Sequence, residues 1–275
     1  MISNNIAGPG GGMGNPAHLL LDSISLSIGG LDILLDVALR SNKGELLALI
    51  GPNGAGKTSL LNCISGIYHP GTGEILLNGQ DIAGSKSHDV ARMGIARTFQ
   101  HVELFRHMSV LENLMVGRHL KMRSSLLSNG IFWGKTKDEE IQNRQTVEEI
   151  IEFLELEKIR KTDALSLGFG LQKIVGLGRA LAMEPQILLL DEPSAGMNRQ
   201  EKEDLARFIL RIKYESGITM IWVEHDMQLV GDLADRIVVL NFGNKIAEGP
   251  PNDVLKDPDV IKAYIGTGAS QNATI

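Results

Sequence analysis

Gly51-Pro52-Asn53-Gly54-Ala55-Gly56-Lys57-Thr58 reads G-x-x-x-x-G-K-[ST] in full. Glycines at these places let the backbone wrap tightly enough for its N–H groups to point at phosphate oxygens, and a following helix adds its positive N-terminal end. The flanks suit that reading. Leu46–Ile50 is a continuous apolar run of strand character, and an amphipathic stretch from Lys57 to about Gly66 follows. The spacing predicts strand, loop and helix, the context that separates a phosphate cradle from a chance glycine-rich turn. Lys57 would neutralise β- and γ-phosphates, and the Thr58 hydroxyl would ligate Mg²⁺. Residues Gly51 to Thr58, with Ser59 beside them, form the expected nucleotide-binding stretch, and ATP with Mg²⁺ is the expected ligand pair.

Downstream, Ile187-Leu188-Leu189-Leu190-Asp191-Glu192 delivers two carboxylates at the end of an apolar strand, where α/β sheets bind ligands. Alone, such a pair more often caps a helix or makes a turn. Beside a phosphate loop, Asp191 is placed to hold Mg²⁺ through its water shell and Glu192 to polarise the attacking water. His225 ends another buried strand, Ile218–Val223. It reads equally as a core residue or as an imidazole that senses a γ-phosphate.

The remaining pattern frames this site. Leu19–Ser27 and Ile33–Leu39 are strand-like, with Gly29-Gly30 turning between them, and Thr72–Asn78 predicts a further strand and turn. From about His101 to Met183 apolar residues recur at helical spacing (Val110, Leu111, Leu114, Met115; Val147, Ile150, Ile151, Leu154), interrupted by a polar Leu120–Arg144 read as a long connection or a pair of short helices. Strand Ile187–Leu190, a helix around Glu201–Tyr214, strand Ile218–Val223, a helix after Asp226 and strand Arg236–Asn241 make a parallel-sheet pattern. The expected fold is α/β with a mixed sheet, N-terminal antiparallel strands and a helical insertion. Residues 1–18 are expected to be a disordered tail, 19–266 the folded domain with its helical part at about 101–183, and 267–275 a second tail.

Composition narrows the classes. With 43% hydrophobic and 22% charged residues the 275-residue chain can build a sizeable core. A net charge of −6 argues against a nucleic-acid surface, which needs a basic stripe. The single Cys63 can form neither an internal disulfide nor a cysteine metal site, which suits a reducing compartment. No apolar run reaches the roughly 20 residues of a membrane-spanning helix, and the N-terminus has no basic region followed by an apolar one.

From about Leu19 to its end the chain resembles the ATP-binding subunit of ABC transporters. Gln100, in Arg97-Thr98-Phe99-Gln100, matches the family's Q-loop glutamine, Asp191 and Glu192 its Walker B pair, Ser194–Asn198 its D-loop, and His225 its switch histidine. The resemblance implies that Gln100 contacts Mg²⁺ and the attacking water, and it favours the phosphate-sensing reading of His225. Arg97–His101, Val223–Met227 and Asp257–Gly266 are similar to the branched-chain amino acid subgroup of importer ATPases. That implies P-loop NTPase architecture, a second ATP-binding subunit as partner, membrane permease subunits and, indirectly, a substrate-binding protein. It also implies a peripheral position on the cytoplasmic face of the inner membrane. His101–Met108, with Leu104 and Phe105 as apolar contacts or as core, is expected to line the groove that receives a permease helix. An exporter or lipid-extraction ATPase, a soluble ABC ATPase and a binding-only subunit are the competing readings. The Asp257–Gly266 string disfavours the first, and a single cassette without heptads the second.

Two positions depart from the family pattern. The signature motif is usually L-S-x-G-Q, yet the spacing back from Asp191 puts Gly168 in the serine's place, in Leu167-Gly168-Phe169-Gly170-Leu171. The γ-phosphate would then lose a hydroxyl hydrogen bond of roughly 1–3 kcal/mol and keep the backbone donors of Gly168, Phe169 and Gly170, unless Ser166 shifts to replace it. The adenine-stacking aromatic is replaced by Ile28, which offers apolar contact without ring stacking and implies weaker nucleotide affinity.

Overall fold

The computed structural model describes residues 18–98, 103–121 and 135–269. Two sheets organise it. Strands β1 (Leu19–Ile28), β2 (Leu31–Ser41), β4 (Thr72–Leu77) and β5 (Gln80–Asp81) form an antiparallel sheet in the order β2-β1-β4-β5. The second sheet runs β10-β9-β3-β8-β7-β6. It comprises β3 (Leu46–Ile50), β6 (Ile95–Thr98), β7 (Ile187–Asp191), β8 (Thr219–Val223), β9 (Arg236–Asn241) and β10 (Asn244–Gly249). All its pairings are parallel except that of β10 with β9.

The continuous apolar runs follow from burial on both faces. Leu46, Ala48 and Ile50 of β3, with Leu188, Leu190 and Trp222, enter one core with the helices; Leu47 and Leu49, with Leu189, Ile221 and Val223, enter a second core with β1 and β2. Helix α1 (Lys57–Ile64) lies in that second core through Leu60, Leu61 and Ile64, all fully buried. Each such side chain contributes about 1.5–3 kcal/mol relative to exposure, so the helix behind the phosphate loop is a fixed element.

Helix α2 (Ser87–Arg92) leads into β6, and helices α3 (Val110–Gly117), α4 (Lys135–Phe153) and α5 (Phe169–Leu181) fill the stretch between β6 and β7. Helix α3 opens with a Ser109/Glu112 capping box. It crosses α5 closely: a Cβ on Gly117 would stand 2.3 Å from the Arg179 carbonyl oxygen. Helix α6 (Arg199–Arg211), capped by Asn198 and Glu201, links β7 to β8, and α7 (Met227–Leu233) links β8 to β9. The short α8 (Pro251–Val254) and α9 (Pro258–Ala269) close the chain. No helix among the described residues is long and apolar enough to cross a membrane.

Three expectations change. Lys135–Arg144, read as part of a long connection or of a pair of short helices, is the first half of the 19-residue α4, while residues 122–134 lie outside the described residues. The sequence gives no apolar period there because a polar contact takes its place: buried Asn143 accepts from Arg118 Nε at 2.9 Å. At the N-terminal boundary His18 belongs to the folded unit, buried with Nδ1 2.6 Å from Thr219 Oγ1; residues 1–17 lie outside the described residues. At the other end α9 continues to Ala269, past the expected start of a tail at residue 267.

Candidate functional site

Gly56, the N-cap of α1, has a φ of 102° that a side-chain-bearing residue rarely adopts, and no side chain caps the helix. Its first N–H groups are thereby left for an anion. The loop before it is braced from the far end of the chain. Gly243 N–H donates to Ala55 O at 3.1 Å, Leu35 N–H donates to Gly243 O at 2.8 Å, and Gly51 lies against the Leu240 carbonyl of β9. Within the loop the Ala55 N–H donates to Pro52 O at 3.2 Å; Asn53 and Gly54 are exposed at its tip.

Buried Lys57 donates from Nζ to Gly51 O at 2.6 Å and Pro52 O at 2.9 Å. Desolvation holds its ammonium below the usual lysine value, opposed by the charges of Glu192 and then Asp191. The lysine and both carboxylates thus share one electrostatic neighbourhood. Thr58, next on α1, is exposed, and Ser59 is half-buried.

Asp191 ends β7, 2% exposed. Its Oδ2 accepts from Arg97 at 2.7 Å, and its Oδ1 is buried with no hydrogen-bond partner. Arg97 also donates to Asn62 Oδ1 at 2.6 Å, so one guanidinium joins β6, α1 and β7. Glu192 takes φ of 47°, in the left-handed region, and its N–H donates to Val223 O at 3.0 Å. His225 Nε2–H donates to Glu192 Oε1 at 2.6 Å. Because a carboxylate only accepts, the bond places the imidazole proton on Nε2. The two residues singled out separately in the sequence are one hydrogen-bonded pair. Free carboxylate oxygen on Asp191 and a hydroxyl on Thr58 are hard donors of the kind Mg²⁺ takes.

Gln100 and His101 lie outside the described residues. Ile28 is placed at the tip of the β1–β2 hairpin, paired with Leu31 and 43% exposed. The same hairpin reaches the loop through Leu34 and Ile33, which meet Gly56. Gly168 is the N-cap of α5 and offers no side-chain cap. Ser166 Oγ donates to Asp163 O at 2.7 Å. Phe169 and Gly170 pack on Gly196 and Glu201. Leu104 proves to be core, 8% exposed, although it borders a groove of about 580 Å³ whose wall includes the half-exposed Phe105, Val116, Leu120 and Met183. Another groove, of about 950 Å³ between α6 and α7, lies away from the phosphate loop.

The family profile described as ABC transporter matches residues 34–195, more than half the chain, from β2 through the loop to the turn after Glu192. The chain belongs to the ABC transporter family. As an ABC ATPase it binds and hydrolyses ATP. A second profile, described as branched-chain amino acid ATP-binding cassette transporter, matches residues 244–270, that is β10 to α9. Among curated relatives, the high-affinity branched-chain amino acid transport ATP-binding protein BraF of Pseudomonas aeruginosa is 39% identical over 251 residues, 90% of this chain and 97% of that one. LivG of Escherichia coli, of the same description, is also 39% identical over 251 residues, with the same coverage. Of solved structures, the ADP conformation of MJ1267, an ATP-binding cassette of an ABC transporter, matches with a TM-score of 0.80 at 33% identity, covering 92% of this chain and 100% of that one.

Reading the ABC motifs one by one finds the loop, both carboxylates and His225, and misses what supports them. Arg97 was legible only as part of a string. Tyr264 likewise appears only within the Asp257–Gly266 string, and Lys173 carried no reading of its own. Burial pushes the Tyr264 phenol up to about 12, while hydrogen bonding from the Gly51 backbone works in the opposite direction. The C-terminal helix therefore reaches the first residue of the loop.

Proposed function

We propose that this chain is the ATP-hydrolysing subunit of an importer for branched-chain amino acids or related small amides. What carries the substrate class is the 244–270 match, since the cassette alone is shared widely. A sulfate/thiosulfate import ATP-binding protein of Pseudomonas syringae is 32% identical over 246 residues. The partners in this reading are a second ATP-binding subunit and membrane permeases, with a substrate-binding protein acting on the permeases. The chain would sit peripherally on the cytoplasmic face of the inner membrane. The groove at Phe105, Val116 and Met183 takes a permease helix in this reading, and the 101–183 helical segment is the subdomain that transmits motion. Co-expression with candidate permeases tests it: the chain should co-purify with them, and its ATPase rate should respond to the transported amino acid. A rate indifferent to every such substrate would sink the importer reading.

At the site, Gly51 to Ser59 hold the triphosphate, Lys57 neutralising its β- and γ-oxygens. Thr58, Asp191 and Gln100 hold Mg²⁺, which when bound screens phosphate charge. Glu192 accepts the proton of the attacking water, and His225 holds the Glu192 carboxylate in place and contacts the γ-phosphate. Ile28 lies against adenine. Gly168, Phe169 and Gly170 present their backbone donors to the nucleotide of the facing subunit, in head-to-tail pairs of two-fold symmetry. The solved structure titled as the dimeric structure of MJ0796, a bacterial ABC transporter cassette, shares the fold at 24% identity.

Two variants test these assignments. Lys57→Ala should weaken ATP binding about 100-fold or more, since hydrogen bonds from a charged group contribute roughly 1.5–3 kcal/mol each. Unchanged affinity in a titration would contradict the loop assignment. Gly168→Ser should act in the other direction. A Cβ there meets nothing within 4 Å, and the backbone (φ −59°, ψ 152°) suits a serine N-cap. The restored hydroxyl should lower the ATP concentration needed for dimerisation by about tenfold, from a bond of roughly 1–3 kcal/mol. Sedimentation of hydrolysis-deficient protein at graded ATP measures it.

A further inference from the structure

Lys173, on the second turn of α5, has no part in the assignments above. Its ammonium donates to three backbone carbonyls of one turn: Glu192 O at 3.1 Å, Pro193 O at 3.0 Å and Ala195 O at 2.8 Å. We propose that Lys173 is a positioning residue for hydrolysis, which clamps the 192–195 turn and so aims the Glu192 carboxylate.

Three observations carry this beyond surface packing. The clamped turn begins at Glu192 itself, in a left-handed conformation that an ordinary side chain keeps only when its surroundings enforce it. An ammonium has three donors, and all three are spent on that turn. Among the described residues, the Glu192 carbonyl also accepts from the Ala195 N–H at 3.2 Å, whereas the Pro193 and Ala195 carbonyls, between β7 and α6, have no backbone donor, so the lysine meets a demand that the backbone alone leaves open.

The ammonium is also sited by charge. Desolvation holds it below the usual lysine value, opposed by the carboxylates of Glu224 and then Glu192. Glu224, 2% exposed, accepts from the His225 N–H at 2.8 Å. One connected set therefore runs from Lys173 through the turn to Glu192, across its bond to His225 and back to Glu224. The ammonium also lies over an aromatic face, 5.3 Å from the centroid of the Phe169 ring, and that ring packs on Gly196 at the end of the same turn. Neighbouring Gln172 donates to the Leu165 and Leu167 carbonyls at 3.1 and 2.8 Å, so successive side chains of α5 fix the approach to its own N-terminus and the Glu192 turn.

The inference rests on Glu192 being the general base, and the test separates the two. Lys173→Met keeps an unbranched stem of similar length and removes all three donors; Lys173→Arg restores a cation with several donors. Steady-state ATPase assays on the full chain should give a kcat at least tenfold lower for Lys173→Met, with KM and ATP affinity within twofold of wild type. Lys173→Arg should recover much of the loss. A Met variant with wild-type kcat overturns the proposal, and so does an Arg variant no better than Met. A loss shared equally by kcat and ATP affinity also overturns it, because that marks a site disordered as a whole. If Lys173→Met does not fold, the Arg variant and Lys173→Gln decide by the same kcat-against-KM split. Glu192→Gln run beside them shows which reading fails: normal turnover there removes the base and this inference together, whereas abolished turnover with a normal Lys173→Met removes the clamp alone.

Discussion

Glu192→Gln should lower the ATP turnover rate by about 10²–10⁴-fold, the range that a positioned general base contributes, while ATP binding holds or tightens. The amide matches the carboxylate in shape and still presents an oxygen to His225 Nε2–H, which now bonds Oε1 at 2.6 Å. The geometry of the pair survives, and the capacity to take a proton is lost. Binding should not suffer, because the site around Lys57 loses a negative charge that would otherwise face the phosphates. ATP favours the closed pair of subunits, so a variant that holds ATP without consuming it should accumulate as an ATP-dependent dimer. Turnover assays and size-exclusion chromatography with and without ATP read both effects. Wild-type turnover in this variant would remove Glu192 from the chemistry and leave Asp191 and His225 without a common role.

The fold was legible where burial on two faces turns strands into unbroken apolar runs. Leu46–Ile50, Ile187–Leu190 and Met220–Val223 announce themselves this way, and each leads to a chemical group. Strand β6 does not. Ile95-Ala96-Arg97-Thr98 has only two apolar residues, and its strand character comes from pairing with β7, Ile95 with Ile187 through Thr98 with Leu190. The first half of α4 was hidden for a related reason, its buried contact being the Arg118–Asn143 hydrogen bond. At the site, residue identities could be read but not their bonds. Arg97 and Asp191 stand 94 positions apart, and nothing in either neighbourhood says that they meet at 2.7 Å. Sequence motifs report groups that touch a ligand; the groups that hold those in place answer to the fold.

Gly51→Ala should cost the most structurally, and the reason lies far along the chain. A Cβ at residue 51 would stand 2.0 Å from the Leu240 carbonyl oxygen, where φ is already +147°. An ordinary contact needs more than an ångström of further separation. Leu240 cannot yield it cheaply, because β9 is held between β3 and β10, with Leu240 itself opposite Lys245. The loop must move instead, and Gly51 O is one of the two carbonyls that hold Lys57. Overpacking of this kind costs about 1–3 kcal/mol, with backbone strain adding to it. The expected result is a lower denaturation midpoint together with loss of ATP binding. Gly54→Ala is the internal comparison: its φ of +80° is also strained, but a Cβ there meets nothing within 4 Å. It should cost about 1 kcal/mol and leave the loop in place. If the two variants lose stability and ATP affinity equally, β9 does not set the loop. If Gly51→Ala loses far more, the phosphate cradle is shaped from β9 and the Phe242–Gly243 turn, segments that carry no recognisable nucleotide motif.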